Sequence, residues 1–311
     1  MISNLLRRSR AALAITVATG ALIAVGAPAE AASGPATSAA SSFVMDGATG
    51  STLSSKYGDT KRQGASTTKI MTAYVVLTSS GLDLNKKVTI QQAYLDYVYV
   101  QGGSSAQLKR GATPTVRQLL YALMLPSGCD AAYALADTFG SGTTRSARVA
   151  NFISKMNAKA KTLGMANTTY DTFDGISPTG ANLTTARDLA KLTRAAMKGT
   201  TFKALVKTTS YSSGGTSNLA TWTNSNLLII PRTAGYAVPG AIGVKTGTGT
   251  AAGRCLVYSA TRNGKTVIGV LLKDEERYAD AIKIIDWAVG PATTSTLQRS
   301  ATTDPIPDVL D

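Results

Sequence analysis

Gln63-Gly64-Ala65-Ser66-Thr67-Thr68-Lys69-Ile70-Met71-Thr72-Ala73-Tyr74 is the stretch where the chain changes period. From Ser66 onward Ile70, Met71, Tyr74, Val75 and Leu77 recur at helical spacing, and Gly64 breaks the chain just before them. Ser66 therefore stands at a helix start. Lys69, three residues on, shares its face, so its ammonium can fold back towards the Ser66 hydroxyl one turn away. Negative charge developing at that end also meets the favourable end of the helix dipole. The 311 residues contain no histidine. A serine nucleophile needs a neighbour to take its proton, and with the commonest base missing that neighbour must be a lysine.

Outward from this helix the pattern divides the chain. On the N-terminal side, Ser42 to Asp46 reads as a strand, Gly47-Ala48-Thr49-Gly50 as a turn and Ser51 to Ser55 as a returning strand. On the C-terminal side helices dominate. Thr115-Val116-Arg117-Gln118 has capping-box spacing and opens a helix through Leu125, stopped by Pro126. Asp130 to Asp137 is a short helix, Val149 to Leu163 a longer one ended by Gly164, and Thr184 or Thr185 caps another that runs to Met197. Beyond about residue 205 the strand pattern returns in Val244 to Thr248, Cys255 to Thr261 and Thr266 to Leu272, with Asn263-Gly264 as a turn; Tyr278 to Val289 closes as a helix. Hairpin, helices, strands, helix is an α+β order: an antiparallel sheet gathers pieces from both ends of the chain, with an all-helical region of about 85–200 inserted between them.

The N-terminus reads as a secretory signal peptide over 1–31. Arg7, Arg8 and Arg10 precede an uncharged stretch from Ala11 to Val25, too short to span a bilayer comfortably, and Ala29 and Ala31 have the spacing of a cleavage site. The expectation is export, with cleavage near Ala31. Residues 32–41, rich in Ala and Ser, read as a mobile lead-in, and 291–311 as a polar tail without an amphipathic face. Removing Arg7, Arg8, Arg10 and Glu30 takes the net charge from +14 to +12. The excess is spread as single Lys and Arg residues without a basic run or interleaved aromatics, which argues against nucleic acid and for electrostatic association with an anionic cell wall. Cys129 and Cys255 are the only cysteines. An even count in an exported chain raises the case for a disulfide, but a chain this long needs no staple, and two free thiols are expected. So few ligands leave no zinc site, and no cofactor is expected.

Two further segments complete the chemistry: Ser127-Gly128-Cys129 after the helix-stopping proline, and Lys245-Thr246-Gly247 on an expected strand. Taken singly, Lys69 reads as a solvated helix-face lysine, Ser127 as a turn residue and Lys245 as a strand end. In this order they resemble the active-site set of penicillin-binding proteins and serine β-lactamases. The flanks narrow the resemblance. Gln63 to Tyr74, Leu119 to Ala132 around Pro126-Ser127-Gly128-Cys129-Asp130, Met156-Asn157 through Leu163-Gly164-Met165, Thr185-Ala186-Arg187-Asp188-Leu189 and Gly243-Val244-Lys245-Thr246-Gly247 are similar to the low-molecular-mass penicillin-binding proteins, the D-alanyl-D-alanine carboxypeptidases and DD-transpeptidases, over about residues 42–290.

This resemblance implies one catalytic domain over 42–290, with a five-stranded antiparallel sheet flanked by helices. It implies that Ser66 is acylated by the penultimate D-Ala carbonyl of a peptidoglycan stem peptide ending in D-Ala-D-Ala, and covalently by β-lactams. Lys69 would be the base, neutral in the reactive state because Lys245 and burial push its pKa down. Ser127 would relay protons to the leaving amine. Lys245, Thr246, Gly247 and Thr248 would hold the substrate carboxylate, and the backbone N–H groups of Ser66 and Thr248 would form the oxyanion hole. Cys129, where the family commonly has Asn, would contact substrate more weakly, since a thiol is a poor donor and a poor acceptor; some secreted DD-transpeptidases of the family carry the same Ser-Gly-Cys. Two other readings share the acylation machinery. A β-lactamase of the class using a deacylating Glu is disfavoured because no Glu occurs between Ala31 and Asp274, leaving Asp171 and Asp174 as substitutes. A penicillin-sensing protein with little turnover would be expected to have lost Ser66 or Lys69. Thr184 and Arg187-Asp188 are assigned to capping and a structural ion pair.

Overall fold

Alternation in five segments produces a sheet that is buried on both faces. The computed structural model describes residues 34–212, 220–231 and 235–291; the expected signal peptide and nearly all of the expected tail lie outside them. Strands β1 (Ser41–Asp46), β2 (Thr52–Lys56), β3 (Ala241–Gly249), β4 (Gly253–Arg262) and β5 (Lys265–Leu272) pair in the order β2-β1-β5-β4-β3, each neighbour antiparallel. The sheet thus joins the two ends of the chain: Phe43 of β1 sits opposite Val270 of β5.

Side chains one apart go to opposite faces. Phe43, Met45, Cys255, Val257, Ile268, Val270 and Leu272 join the larger core, packed with the helices that precede β3. Val44, Leu256, Tyr258, Ala260, Val267 and Leu271 point the other way, against α8 (Arg277–Val289), whose Tyr278, Ala281, Ile282, Ile284 and Ile285 close that face. Gly269 makes room for the Tyr258 ring, since a Cβ there would sit 2.1 Å from its Cζ.

Among the described residues seven helices precede β3: α1 (Lys69–Leu77), α2 (Gln92–Gln101), α3 (Val116–Met124), α4 (Cys129–Phe139), α5 (Arg145–Thr162), α6 (Ala186–Ala196) and α7 (Thr200–Lys207). The capping box read from Thr115 is formed: its Oγ1 accepts from Gln118 N at 3.2 Å, and Gln118 Oε1 accepts from Thr115 N at 2.8 Å. Thr185, rather than Thr184, caps α6 through Asp188 N at 3.1 Å, while Arg187 pairs with Asp59 at 2.8 Å. Helix α5 starts four residues before the expected Val149, because Thr144 caps it.

Three features differ from the expectations drawn from the sequence. Helix α2 and helix α7 are additional; the aromatic and β-branched residues of Tyr94-Leu95-Asp96-Tyr97-Val98-Tyr99-Val100 hide the first, and packing overrides that propensity. Two short strand pairs, Arg62–Gln63 with Leu183–Thr184 and Ser210–Tyr211 with Trp222–Thr223, lie outside the main sheet. The lead-in, expected to be mobile, is pinned over its described part: Ser38 N donates to Asp280 Oδ2 at 2.7 Å, and its hydroxyl hydrogen is shared between Asp274 Oδ1 at 2.6 Å and Asp280 Oδ2 at 3.0 Å. Two buried carboxylates need donors, and this segment supplies them. Among the described residues no helix is long and apolar enough to cross a membrane.

Candidate active site

After the short strand that ends at Gln63, Ala65–Thr68 form one 3₁₀ turn that runs directly into α1. The tight turn places Ser66 one step below Lys69, and Lys69 Nζ donates to Ser66 Oγ at 2.5 Å. Both side chains are buried: Ser66 is 1% exposed and Lys69 0%. Burial weighs against an ammonium, and neighbouring anions and polar groups weigh for it, so the groups around Lys69 decide how readily it takes the serine proton.

Pro126 and the α3 end deliver the second serine. Ser127 has φ +67, a left-handed conformation that costs a non-glycine residue of order 1–3 kcal/mol and persists only where the surroundings over-determine it. Those surroundings are a buried carboxylate and a backbone seam. Asp130 accepts from the N–H groups of Ala106 and Leu108 at 3.0 and 3.2 Å and from Ser105 Oγ at 3.1 Å, while Cys129 N donates to Ser104 O at 2.8 Å. Held in this way, Ser127 Oγ accepts from Lys245 Nζ at 2.9 Å.

Strand β3 forms the opposite wall. Its Gly247 presses against the nucleophile turn: a Cβ there would lie 2.8 Å from Gly64 O and 3.1 Å from Ser66 N. Only glycine allows this approach, which brings the backbone of Thr248 beside that of Ser66. Thr246 Oγ1 pairs with Ser225 Oγ at 2.8 Å. Arg277, at the first position of α8, donates from Nη1 to Thr248 Oγ1 at 3.0 Å and to Gly247 O at 3.3 Å. It adds a guanidinium beside the carboxylate anchor expected at Lys245. Nothing in the sequence marks Arg277, because it lies thirty residues beyond Gly247 and meets the strand only through the packing of α8 on the sheet.

Cys129 is fully buried at the start of α4. Its thiol lies among Lys69, Asp174 and the Ser127 carbonyl, the last at 3.9 Å from Sγ. Burial pushes that thiol up to about 12, with Lys69 acting in the other direction, so it remains S–H. Cys255, on β4, is buried in the larger core, and no disulfide joins the two.

The two aspartates weighed as substitutes for a missing Glu have different surroundings. Asp171 accepts from Ser177 Oγ at 2.7 Å and Thr179 Oγ1 at 2.6 Å, which shapes its own loop. Asp174 is 0% exposed and accepts from Tyr97 OH at 2.9 Å and Ile176 N at 3.0 Å. Beside the nucleophile a cleft of about 540 Å³ opens between this loop and the end of β3, lined by Gln63, Ala65, Gln101, Ile176, Thr179 and Thr250 among others, none of them charged. Among the described residues no group of three or more His, Cys, Asp and Glu converges as a metal site.

A family model described as D-alanyl-D-alanine carboxypeptidase matches residues 28–276. The chain is 50% identical over 293 residues to the D-alanyl-D-alanine carboxypeptidase of Streptomyces sp. (strain K15), covering 90% of this chain and 98% of that relative. Among solved structures, the Streptomyces K15 DD-transpeptidase matches with a TM-score of 0.76 and 51% identity, over 82% of this chain and 98% of that one. The D-alanyl-D-alanine carboxypeptidase from Mycobacterium tuberculosis H37Rv matches with a TM-score of 0.72 and 30% identity, over 86% and 97% of the two chains.

Proposed function

We propose that this chain, which belongs to the D-alanyl-D-alanine carboxypeptidase family, performs its serine DD-peptidase reaction with Ser66 as nucleophile, Lys69 as base and Ser127 as proton relay. Ser66 Oγ attacks the penultimate D-Ala carbonyl as its proton passes to neutral Lys69. The oxyanion is held by the N–H groups of Ser66 and Thr248. The leaving amine takes its proton from Ser127, and terminal D-Ala departs. Water or an amine then attacks the acyl-Ser66 carbonyl, giving carboxypeptidase or transpeptidase product. Lys245, Thr246 and Thr248, with Arg277 behind Thr248, bind the substrate carboxylate, and Cys129 lines the floor of the site. β-Lactams acylate Ser66 by the same attack on their strained amide.

The observation that carries this reading is the buried pair of contacts, Lys69 Nζ on Ser66 Oγ at 2.5 Å and Lys245 Nζ on Ser127 Oγ at 2.9 Å. The proposed location is extracytoplasmic after cleavage near Ala31, supported by Arg7, Arg8 and Arg10 ahead of an uncharged stretch; the positive balance supports electrostatic association with an anionic wall. Purified protein treated with a fluorescent penicillin and with a peptide ending in D-Ala-D-Ala is expected to label stably and to release D-Ala, with both lost in Ser66→Ala. Persistent labelling of Ser66→Ala would overturn the assignment. Fast penicillin turnover would favour a β-lactamase, and labelling without D-Ala release a sensor.

A further inference from the structure

One buried charge at this site has no part in the acyl transfer just described. Asp174 lies on the loop 171–182, and that loop is fastened to the nucleophile turn. Gly175, at φ +100, packs so closely that a Cβ would sit 2.0 Å from Ala65 O. Asn182 Nδ2 donates to Thr68 Oγ1 at 2.8 Å, and Thr72 Oγ1 donates to Phe173 O. Asp174 is thereby held beneath the site with 0% exposure.

The polar groups recorded at its carboxylate are donors and a cation. Oδ2 accepts the Tyr97 hydroxyl from α2 at 2.9 Å and Oδ1 accepts Ile176 N–H at 3.0 Å. The Cys129 thiol from α4 is hydrogen-bonded to Asp174 on one side and faces Lys69 on the other, and Lys69 is the cation nearest in effect to the carboxylate. Burial pushes the Asp174 carboxyl up from its usual range, while Lys69, Ile176 N–H, the Tyr97 hydroxyl and the Cys129 thiol all pull it down. Tyr97 is braced by Tyr133 and Phe173, with ring centroids 5.2 and 5.3 Å away. The remaining charges of the site, Lys245 and Arg277, stand on the β3 side, with Lys245 engaged by Ser127. Tyr97, half-buried, and the buried Asp174, Cys129, Lys69 and Ser66 thus form one chain of polar groups. A carboxylate accepting several donors is stabilised as the anion, and an anion in a low-dielectric site favours the charged form of a neighbouring amine.

We propose that Asp174 is a positioning residue for acylation: through the Cys129 thiol and its own charge it holds Lys69 as the ammonium aimed at Ser66, and so sets the pH above which Ser66 becomes reactive. A thiol suits this position because it donates S–H to the carboxylate while its sulfur faces the ammonium. The inference rests on Lys69 being the base of the reaction.

The test is the pH dependence of the second-order rate constant for penicillin acylation. The acid limb of that profile reports Lys69 in the free enzyme. Asp174→Asn removes the charge and retains the shape, and is expected to move the acid limb to lower pH by about 1 unit or more, the size usual for removing a neighbouring opposite charge. Tyr97→Phe retains the charge and removes one donor; a smaller shift in the same direction is expected, and it keeps the idea testable if Asp174→Asn does not fold. A fall in rate at every pH with an unmoved limb in a folded variant would mean a merely structural carboxylate and would overturn the proposal. The ε-carbon resonance of Lys69, assigned by its loss in Lys69→Ala, is expected to titrate lower in Asp174→Asn, and this readout needs no turnover. Failure of the parent enzyme to be acylated would instead sink the reading of Ser66 and Lys69, leaving the NMR titration as the separate test of Asp174.

Discussion

Replacing Gly175 by Ala strikes the contact between the loop 171–182 and the nucleophile turn. Gly175 has φ +100, and an added Cβ would stand 2.0 Å from Ala65 O, 2.4 Å from Ala65 C and 3.0 Å from Thr68 Oγ1. Two of these three atoms are backbone, so no side-chain rotation relieves the overlap. The turn or the loop must retreat by about 1 Å, a displacement of a reacting group that typically costs ~10²-fold in rate. The left-handed conformation adds about 1–2 kcal/mol of strain for a residue with a Cβ. For a domain of this size each kcal/mol lowers Tm by ~2–4 °C. Gly164→Ala is the control, since Gly164 has φ +67 and nothing within 4 Å of its Cβ position. Acylation by a fluorescent penicillin, followed alongside thermal melting, is expected to show a Tm loss in both variants and the rate loss in Gly175→Ala alone. Parent-like acylation by folded Gly175→Ala would refute the claim that this loop fixes the nucleophile.

Arg277→Gln removes the guanidinium donor to Thr248 Oγ1; acylation by substrates and penicillins bearing a carboxylate is expected to fall by ~10-fold or more, since a charged hydrogen bond contributes about 1.5–3 kcal/mol, with little change in melting temperature. Thr115→Ala breaks the capping box of α3 and is expected to lower stability by ~0.5–2 kcal/mol in denaturant titration without changing the acylation rate of the folded protein. The Asp46 carboxyl is held below its usual 3.8, chiefly by the Thr49 N–H, so its contribution is complete above that value and is lost as pH falls through the lower folded value. The melting-temperature gap between the parent and Asp46→Asn should therefore be present near neutral pH and close in acid; a gap independent of pH would contradict this origin.

How far the sequence reached depended on whether the signal was local. The capping box at Thr115, the hairpin around Gly47, the Asn263-Gly264 turn and the helix start at Ser66 rest on neighbours a few residues apart, and each appears at or within a few residues of its expected place. Helix α2 escaped because aromatic and β-branched residues carry strand propensity, which tertiary packing overrode. Ser38 looked like linker because its partners, Asp274 and Asp280, lie more than two hundred residues away. Arg277 stands just ahead of the expected closing helix and Tyr97 in a segment whose composition favours strand; only the packing of α8 and α2 turns them towards the site.

The sequence alone made Lys69 the candidate base of a histidine-free serine enzyme, because three residues along a helix start bring that amine back over Ser66. It also marked Ser127, Cys129 and Lys245 as the remaining candidates. Tertiary structure decided what those side chains meet. Gly247 lets β3 approach Ser66 N closely, the strained backbone at Ser127 turns its hydroxyl to Lys245, and the loop 171–182 brings Asp174 beneath Cys129 and Lys69. The physical reason is separation along the chain. A helical turn fixes its neighbours by bond geometry, whereas contacts between residues a hundred positions apart exist only once the sheet has joined the two ends and the buried charges have found partners.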